Sequence, residues 1–199
     1  MTTDDVTSAR AKKADRALLL TPGAGAGRDQ PSLVAIEKAL EPVPVERMDF
    51  PYRLAGRKSP DKPAVLLAAV REGAAALAQR TNLEPNRLVL GGRSMGGRIC
   101  SMAVADGLEA RALVLISYPL HPPGKPETLR TEHLPRIDVP CLFVSGTRDA
   151  FATPAELEEA TKTIPGDVTH VWIDGGDHGL RRKDDQVADV VSDWVRGLS

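Results

Sequence analysis

Arg87-Leu88-Val89-Leu90-Gly91-Gly92-Arg93-Ser94-Met95-Gly96-Gly97-Arg98-Ile99-Cys100 is the most informative segment of the chain. Its first half is a short apolar, β-prone run, and Ile99, Met102, Ala103 and Ala105 follow with helical spacing, so it predicts strand, sharp turn and helix. At its centre, Gly92-Arg93-Ser94-Met95-Gly96 is a G-x-S-x-G pattern. A turn this tight strains the serine backbone and leaves no room for side chains two positions to either side, which glycine at 92 and 96 satisfies. The turn would lift the Ser94 hydroxyl above the carboxyl edge of a sheet and aim a helix N-terminus at the same point. Ser94 is therefore the candidate nucleophile. A glycine-rich turn holding an incidental serine would read identically over five residues, so the rest of the chain must separate the two.

Working outward, residues 17–20 are a continuous apolar run, as in a strand covered on both faces. They lead into Thr21-Pro22-Gly23-Ala24-Gly25-Ala26-Gly27, a loop whose backbone N–H groups can approach a ligand closely. Ser32 is expected to cap a helix carrying Leu33, Ile36, Ala39 and Leu40. Residues 43–48 read as a second strand, with Pro44 suiting an edge or a strand start. Residues 49–62 form a polar loop, after which Pro63 opens a helix with Leu66, Leu67, Val70, Ala74 and Leu77 on one stripe. Beyond the elbow, residues 112–116 are another continuous apolar run, and 117–136 are a long loop with five prolines. Residues 141–144 are the next buried strand, and Thr153, Pro154 and Glu156 predict a capping box opening a helix to about residue 164. Residues 168–173 are the last strand, and Val187, Val190, Val191, Trp194, Val195 and Leu198 mark the closing helix.

Strands alternating with helices imply an α/β chain: a mostly parallel sheet of about six strands with helices on both faces. In such sheets ligands bind beyond the carboxyl ends of the strands. Four loops leave those ends carrying polar chemistry: 23–27, Ser94, Asp149 and His178. Asp149 alone could cap the loop before the Thr153 helix, and His178, among Gly175, Gly176 and Gly179, could be a solvated loop histidine. Together, in the order nucleophile, acid, histidine and each just after a different strand, the three read as the α/β-hydrolase arrangement. Imidazole can take the serine proton near neutral pH, and Asp149 would hold the His178 tautomer and stabilise the imidazolium. The N–H groups of Met95 and Ala24 are the expected oxyanion donors.

The 199 residues suit one domain, expected over residues 16–199 after a flexible tail at 1–15. A net charge of −1 gives no global field for nucleic acid or an anionic membrane. Residues 17–20 are too short for a signal-peptide core or a membrane span, and Cys100 and Cys141 sit in apolar runs as small core residues rather than a disulfide. A cytoplasmic setting is expected, with neither nucleic acid nor membrane as partner. Gly23-Ala24-Gly25-Ala26-Gly27 resembles a dinucleotide fingerprint with Asp49 as its ribose acid, but Arg28 stands where G-x-G-x-x-G wants glycine. No cofactor is expected. His121, His133 and His170 have no metal-ligand company at useful spacing, so no metal is expected either. Trp172 and Trp194 read as packing residues.

Further stretches carry a family resemblance: Asp49-Phe50-Pro51-Tyr52, Gly56-Arg57, Pro60-Asp61, Tyr118-Pro119-Leu120-His121-Pro122-Pro123-Gly124-Lys125-Pro126, and Gly146-Thr147-Arg148-Asp149. With the elbow, they make nearly everything after Arg16 resemble the compact, dienelactone-hydrolase-like branch of the α/β-hydrolase fold, in a family of small predicted hydrolases that includes testis-expressed proteins. The resemblance implies Ser94 as nucleophile, Asp149 as acid and His178 as base. Relatives often carry histidine before the first loop glycine, where this chain has Pro22.

No separate cap domain is expected, because neither 49–62 nor 117–136 encodes a long apolar helix. A shallow pocket follows, beside Gly23 and walled by Tyr52, Tyr118 and Leu120, with Arg28, Arg53 and Arg93 as candidates to meet an anionic group. Small ester, thioester or lactone substrates fit that pocket better than long-chain triacylglycerols, and peptide cleavage would use the same parts. The alternative is an interaction module that keeps the fold without significant turnover. Oligomeric state is left open.

Overall fold

Continuous apolar strands need cover on both faces, and β1 (Ala17–Thr21) shows how the chain provides it. In the computed structural model, which describes residues 14–198, Ala17 and Leu19 enter one core while Leu18 and Leu20 enter another. The tail expected over residues 1–15 lies, apart from Ala14 and Asp15, outside the described residues. The other strands are β2 (Val45–Arg47), β3 (Leu88–Arg93), β4 (Ala112–Ile116), β5 (Cys141–Gly146) and β6 (Val168–Ile173). All six pair in parallel, in the order β2-β1-β3-β4-β5-β6.

Helices α3 (Pro63–Thr81), α4 (Met95–Ala105) and α5 (Pro154–Thr161) cover the face that receives Leu19, bringing Leu66, Val70, Leu77, Ile99 and Leu157 to it. Helices α1 (Pro31–Leu40) and α6 (Asp184–Gly197) cover the other with Leu33, Ile36, Leu40, Val187, Val191 and Val195. Each such Val or Leu, fully buried, is worth about 1.5–3 kcal/mol. The two helical stripes therefore fix which way every strand faces. No helix among the described residues is long and apolar enough to cross a membrane. Among the described residues no cap stands over the sheet: residues 117–136 carry a single 3-10 turn at Leu134–Arg136 and otherwise no regular element.

The strand order reverses direction between β1 and β3, and that switch point is where an open α/β sheet leaves a crevice. The elbow sits there. Ser94 has φ 49° and ψ −118°, a strained left-handed conformation for a residue with a side chain. It is held by its N–H donating to the Ile116 carbonyl at 2.8 Å and its carbonyl accepting from the Arg98 N–H at 3.1 Å. A Cβ on Gly92 would lie 2.2 Å from the Thr21 carbonyl oxygen, and one on Gly96 would lie 2.5 Å from that of Pro22.

Some local expectations need correction. Ser32 is not the cap of α1: Pro31 takes the first helical position, where its missing N–H costs nothing, so the cap falls on Gln30 and Ser32 is buried inside the first turn. The second strand is shorter than 43–48, because the chain pairs with β1 only at Val45, Glu46 and Arg47. Within 49–62 a one-turn helix α2 (Pro51–Leu54) forms, opened by Pro51, and α5 ends at Thr161 rather than about residue 164. The Thr153–Glu156 capping box is present in both directions. Cys100 and Cys141 are free and buried, and burial pushes both thiols up to about 12.

Gly96→Ala tests the close approach at the elbow. Its Cβ would meet backbone oxygens that cannot move aside, costing about 1–3 kcal/mol, or roughly 2–12 °C in Tm for a chain of this size. Gly197→Ala, with open space around it, should stay within about 2 °C of wild type in the same thermal unfolding measurement by circular dichroism.

Candidate active site

Asp149 and His178 come from loops that the backbone stitches together. The Arg148 N–H donates to the Gly176 carbonyl at 2.8 Å, the Thr147 N–H to Ile173 at 3.1 Å, and the Gly175 N–H to the Thr147 hydroxyl at 2.9 Å. Gly146 makes the approach possible, since a Cβ there would lie 2.1 Å from the Gly176 carbonyl oxygen. The loop after β5 then folds back on itself as the Phe151 N–H donates to Asp149 Oδ1 at 2.8 Å, an aspartate-closed turn.

Those constraints place His178 Nδ1 2.9 Å from both carboxylate oxygens of Asp149. A carboxylate can only accept, so Nδ1 carries the proton and Nε2 is left as an acceptor. The Ser94 hydroxyl lies 2.9 Å from Nε2 and donates to it. Asp149 is 3 % exposed, so its pairing with the imidazole is shielded from water. Phe151 stacks on the His178 ring at 3.9 Å between centroids and 24° between planes. Arg93 Nη2 donates to the His178 carbonyl at 2.8 Å, fixing the loop from below. Burial lowers the proton affinity of Arg93, opposed by the carboxylates of Asp184, Asp177 and Asp149. Such a chain of donors can draw a proton from the Ser94 hydroxyl as it attacks an electrophile.

Ser94 and His178 line an open cavity of about 620 Å³, together with Gly23, Ala24, Met95 and Phe151. Among the described residues the N–H groups of Ala24 and Met95 have no backbone partner. The neighbouring N–H groups are occupied: that of Gly23 donates to the Gln30 side chain at 3.0 Å and that of Gly25 to the Tyr52 hydroxyl at 3.1 Å. Gln30 and Tyr52 therefore shape the loop while leaving the Ala24 donor free.

Several expected wall residues lie elsewhere. Tyr52, Tyr118 and Leu120 are fully buried and do not line the cavity. Each tyrosine instead spends its hydroxyl on a loop, Tyr118 donating to the Arg130 carbonyl at 2.9 Å. Arg28 and Arg53 line a separate depression with Asp29 and Asp49, and Asp49 accepts from the Arg28 N–H at 2.7 Å rather than facing a ligand. Of the three arginines singled out from sequence, the cavity receives Arg93, and it adds Arg98, Arg130 and Arg181. Arg98 stands one helical turn after Ser94, a spacing that could have found it. Phe151 and Arg130 carried no signal of their own.

A second serine–histidine pair lies beneath the cavity. Ser101 Oγ is 2.8 Å from His133 Nε2 and donates to the Arg98 carbonyl at 2.8 Å, with Tyr118 3.4 Å from the same ring nitrogen. Ser101 is fully buried and His133 is 5 % exposed, so the pair ties the 117–136 loop to α4 rather than meeting a substrate. His170 is likewise structural: its ring stacks between Phe143 at 5.3 Å and Trp172 at 5.4 Å, and Thr161 bonds its Nε2 at 2.9 Å.

A family model for an alpha/beta hydrolase domain matches residues 14–195. Among solved structures, a dienelactone hydrolase from Anabaena variabilis superposes with a TM-score of 0.74 at 20% identity, covering 93% of this chain and 87% of that one. An α/β serine hydrolase without a lid from Xanthomonas campestris gives 0.71 at 18% identity, over 94% and 84%. Est1E from Butyrivibrio proteoclasticus, solved with ferulic acid bound, gives 0.70 at 15% identity, over 94% and 91%. At such identities the likeness is one of fold.

The buried His133 should leave a pH signature. Burial and then the charge of Arg98 hold its imidazole down at about 4, against 6.5 in an unfolded chain. The unfolded chain therefore takes the proton first, so this contribution to stability is intact above pH 6.5 and is lost as pH falls from 6.5 towards 4, by up to about 1.4 kcal/mol per pH unit. Denaturant unfolding of wild type and His133→Gln at pH 7, 5.5 and 4.5 should show the stability difference between them shrinking or reversing as pH falls. A difference that stays constant with pH would count against a buried neutral His133.

Proposed function

The chain belongs to the α/β-hydrolase domain family, and from that premise we propose that it is a serine hydrolase that cleaves small ester, thioester or lactone bonds through an acyl-enzyme on Ser94. The observation that carries the reading is the unbroken hydrogen-bond chain from Ser94 through His178 to the buried Asp149, opening at its serine end onto the cavity. His178 Nε2 takes the hydroxyl proton as Ser94 Oγ attacks the carbonyl carbon, and Asp149 stabilises the imidazolium that results. The oxygen of the tetrahedral intermediate is received by the N–H groups of Met95 and Ala24, one of them at the N-terminus of α4. Collapse of the intermediate expels the alcohol or thiol, which leaves with the proton from His178. Water, deprotonated by the same nitrogen, then attacks the acyl-enzyme, and the bond to Ser94 Oγ breaks as His178 returns the proton to it, freeing the acid and restoring the serine.

The strained Ser94 backbone and the unpaired Met95 N–H support this division of labour, because the elbow holds nucleophile and oxyanion donor one residue apart. The open cavity without a cap supports small or accessible substrates. Esterase-type relatives of the same fold support the reaction class.

Steady-state hydrolysis of p-nitrophenyl acetate, an acyl thioester and a γ-lactone tests the reading. Wild type should turn over at least one of them with saturation. Asp149→Asn should fall on the order of 10⁴-fold in kcat and Ser94→Ala on the order of 10⁶-fold, both remaining folded. Ser94→Ala at wild-type rate on the same ester would overturn the assignment.

A further inference from the structure

Among the described residues the cavity beside Ser94 is lined by four arginines, Arg93, Arg98, Arg130 and Arg181, and by no aspartate or glutamate. Two of the four are accounted for. Arg93 is spent on the His178 carbonyl, and Arg181 is exposed to solvent. Arg98 and Arg130 are different. Among the described residues the Arg98 guanidinium has no hydrogen bond or ion pair, and its Nε is buried without a partner. Arg130 makes one bond, donating from Nη1 to the Pro119 carbonyl at 3.2 Å.

Both side chains stand on fixed backbone. Arg98 belongs to α4, one turn beyond the nucleophile. The Arg130 N–H donates to the Leu120 carbonyl at 2.9 Å, and its own carbonyl accepts the Tyr118 hydroxyl at 2.9 Å. Burial, and then the like charge of Arg98, lowers the proton affinity of Arg130. Two neighbouring cations in a partly dry wall repel each other, and a shared oxyanion would remove that repulsion while filling the donors of both guanidinium forks.

We propose that Arg98 and Arg130 form a clamp for an anionic group on the non-reacting end of the substrate, so that the enzyme prefers esters, thioesters or lactones carrying a free carboxylate or phosphate. This rests on the hydrolase reading and narrows it. The clamp places the anion on the α4 and 117–136 side of the cavity while the reacting carbonyl lies at Ser94. It also gives Tyr118 a role from beneath the wall, as a positioning residue for the Arg130 backbone.

Two measurements separate the clamp from the chemistry. The first compares mono-p-nitrophenyl glutarate with p-nitrophenyl valerate, which match in acyl length and differ in the terminal charge. Wild type should favour the glutarate ester in kcat/KM. Arg98→Gln and Arg130→Gln should each lower the ratio of the two by roughly ten- to a hundredfold, chiefly through KM, with Arg98→Lys retaining part of it. A wild-type ratio at or below one, or a ratio unchanged in both variants, overturns the clamp. The second titrates Ser94→Ala with glutarate and with inorganic phosphate by calorimetry, which needs no turnover. Saturable binding that disappears in Ser94→Ala/Arg98→Gln supports the clamp even if wild type hydrolyses no ester, in which case the hydrolase reading falls alone. Ester hydrolysis with neither anion bound leaves the hydrolase reading standing and removes the clamp. The tighter of the two anions identifies which group the clamp takes.

Discussion

The end of β3 lies so close to the end of β1 that no side chain fits between them, and the site depends on that contact. Gly92 and Gly96 bring the elbow against the Thr21 and Pro22 carbonyls, which puts Ser94 and the Gly23–Gly27 loop on one rim. The strain at Ser94 costs on the order of 1–3 kcal/mol, and the hydrogen bond to Ile116 together with the apolar cover of β3 on both faces holds it in place. A looser contact would let the serine relax into an ordinary helix start and turn its hydroxyl away from His178.

The same device recurs at the other end of the site. Gly146 against Gly176 lets the loops after β5 and β6 lie backbone to backbone, so the position of Asp149 and that of His178 are one constraint rather than two. Phe151 and Arg93 then hold the imidazole and its carbonyl from either side. Beneath the cavity the buried Ser101–His133–Tyr118 cluster does comparable work for the proline-rich loop. The preorganised geometry thus comes from backbone contacts, buried polar pairs and the hold of Phe151 and Arg93 on His178.

The inner strands were legible because they are buried on both faces and appear as apolar runs, as at residues 112–116; the edge strand 168–173, half-buried and carrying Thr169 and His170, also falls at its expected bounds. The elbow and the three polar residues that the structure brings together were legible because each follows the end of an expected strand. What faces the cavity was not. Tyr52 and Tyr118 look like pocket walls in a loop sequence, but a phenol can point inward wherever its hydroxyl finds a partner, and here the Gly25 N–H and the Arg130 carbonyl provide one. Arg28 lines a separate depression, where its backbone N–H donates to Asp49. Arg98 gives little signal because a charged residue on a helix ordinarily faces solvent, and nothing local says that the 117–136 loop brings Arg130 to the same cavity.

The central claim is that Ser94 is an activated nucleophile, and the most direct measurement is covalent labelling by a fluorophosphonate, read by intact mass on wild type, Ser94→Ala and His178→Ala. The reagent needs an activated serine and an open cavity but no knowledge of the natural substrate. Wild type should gain one adduct at neutral pH, Ser94→Ala none, and His178→Ala little. A folded wild type that remains unlabelled, or an adduct that persists in Ser94→Ala, would contradict it.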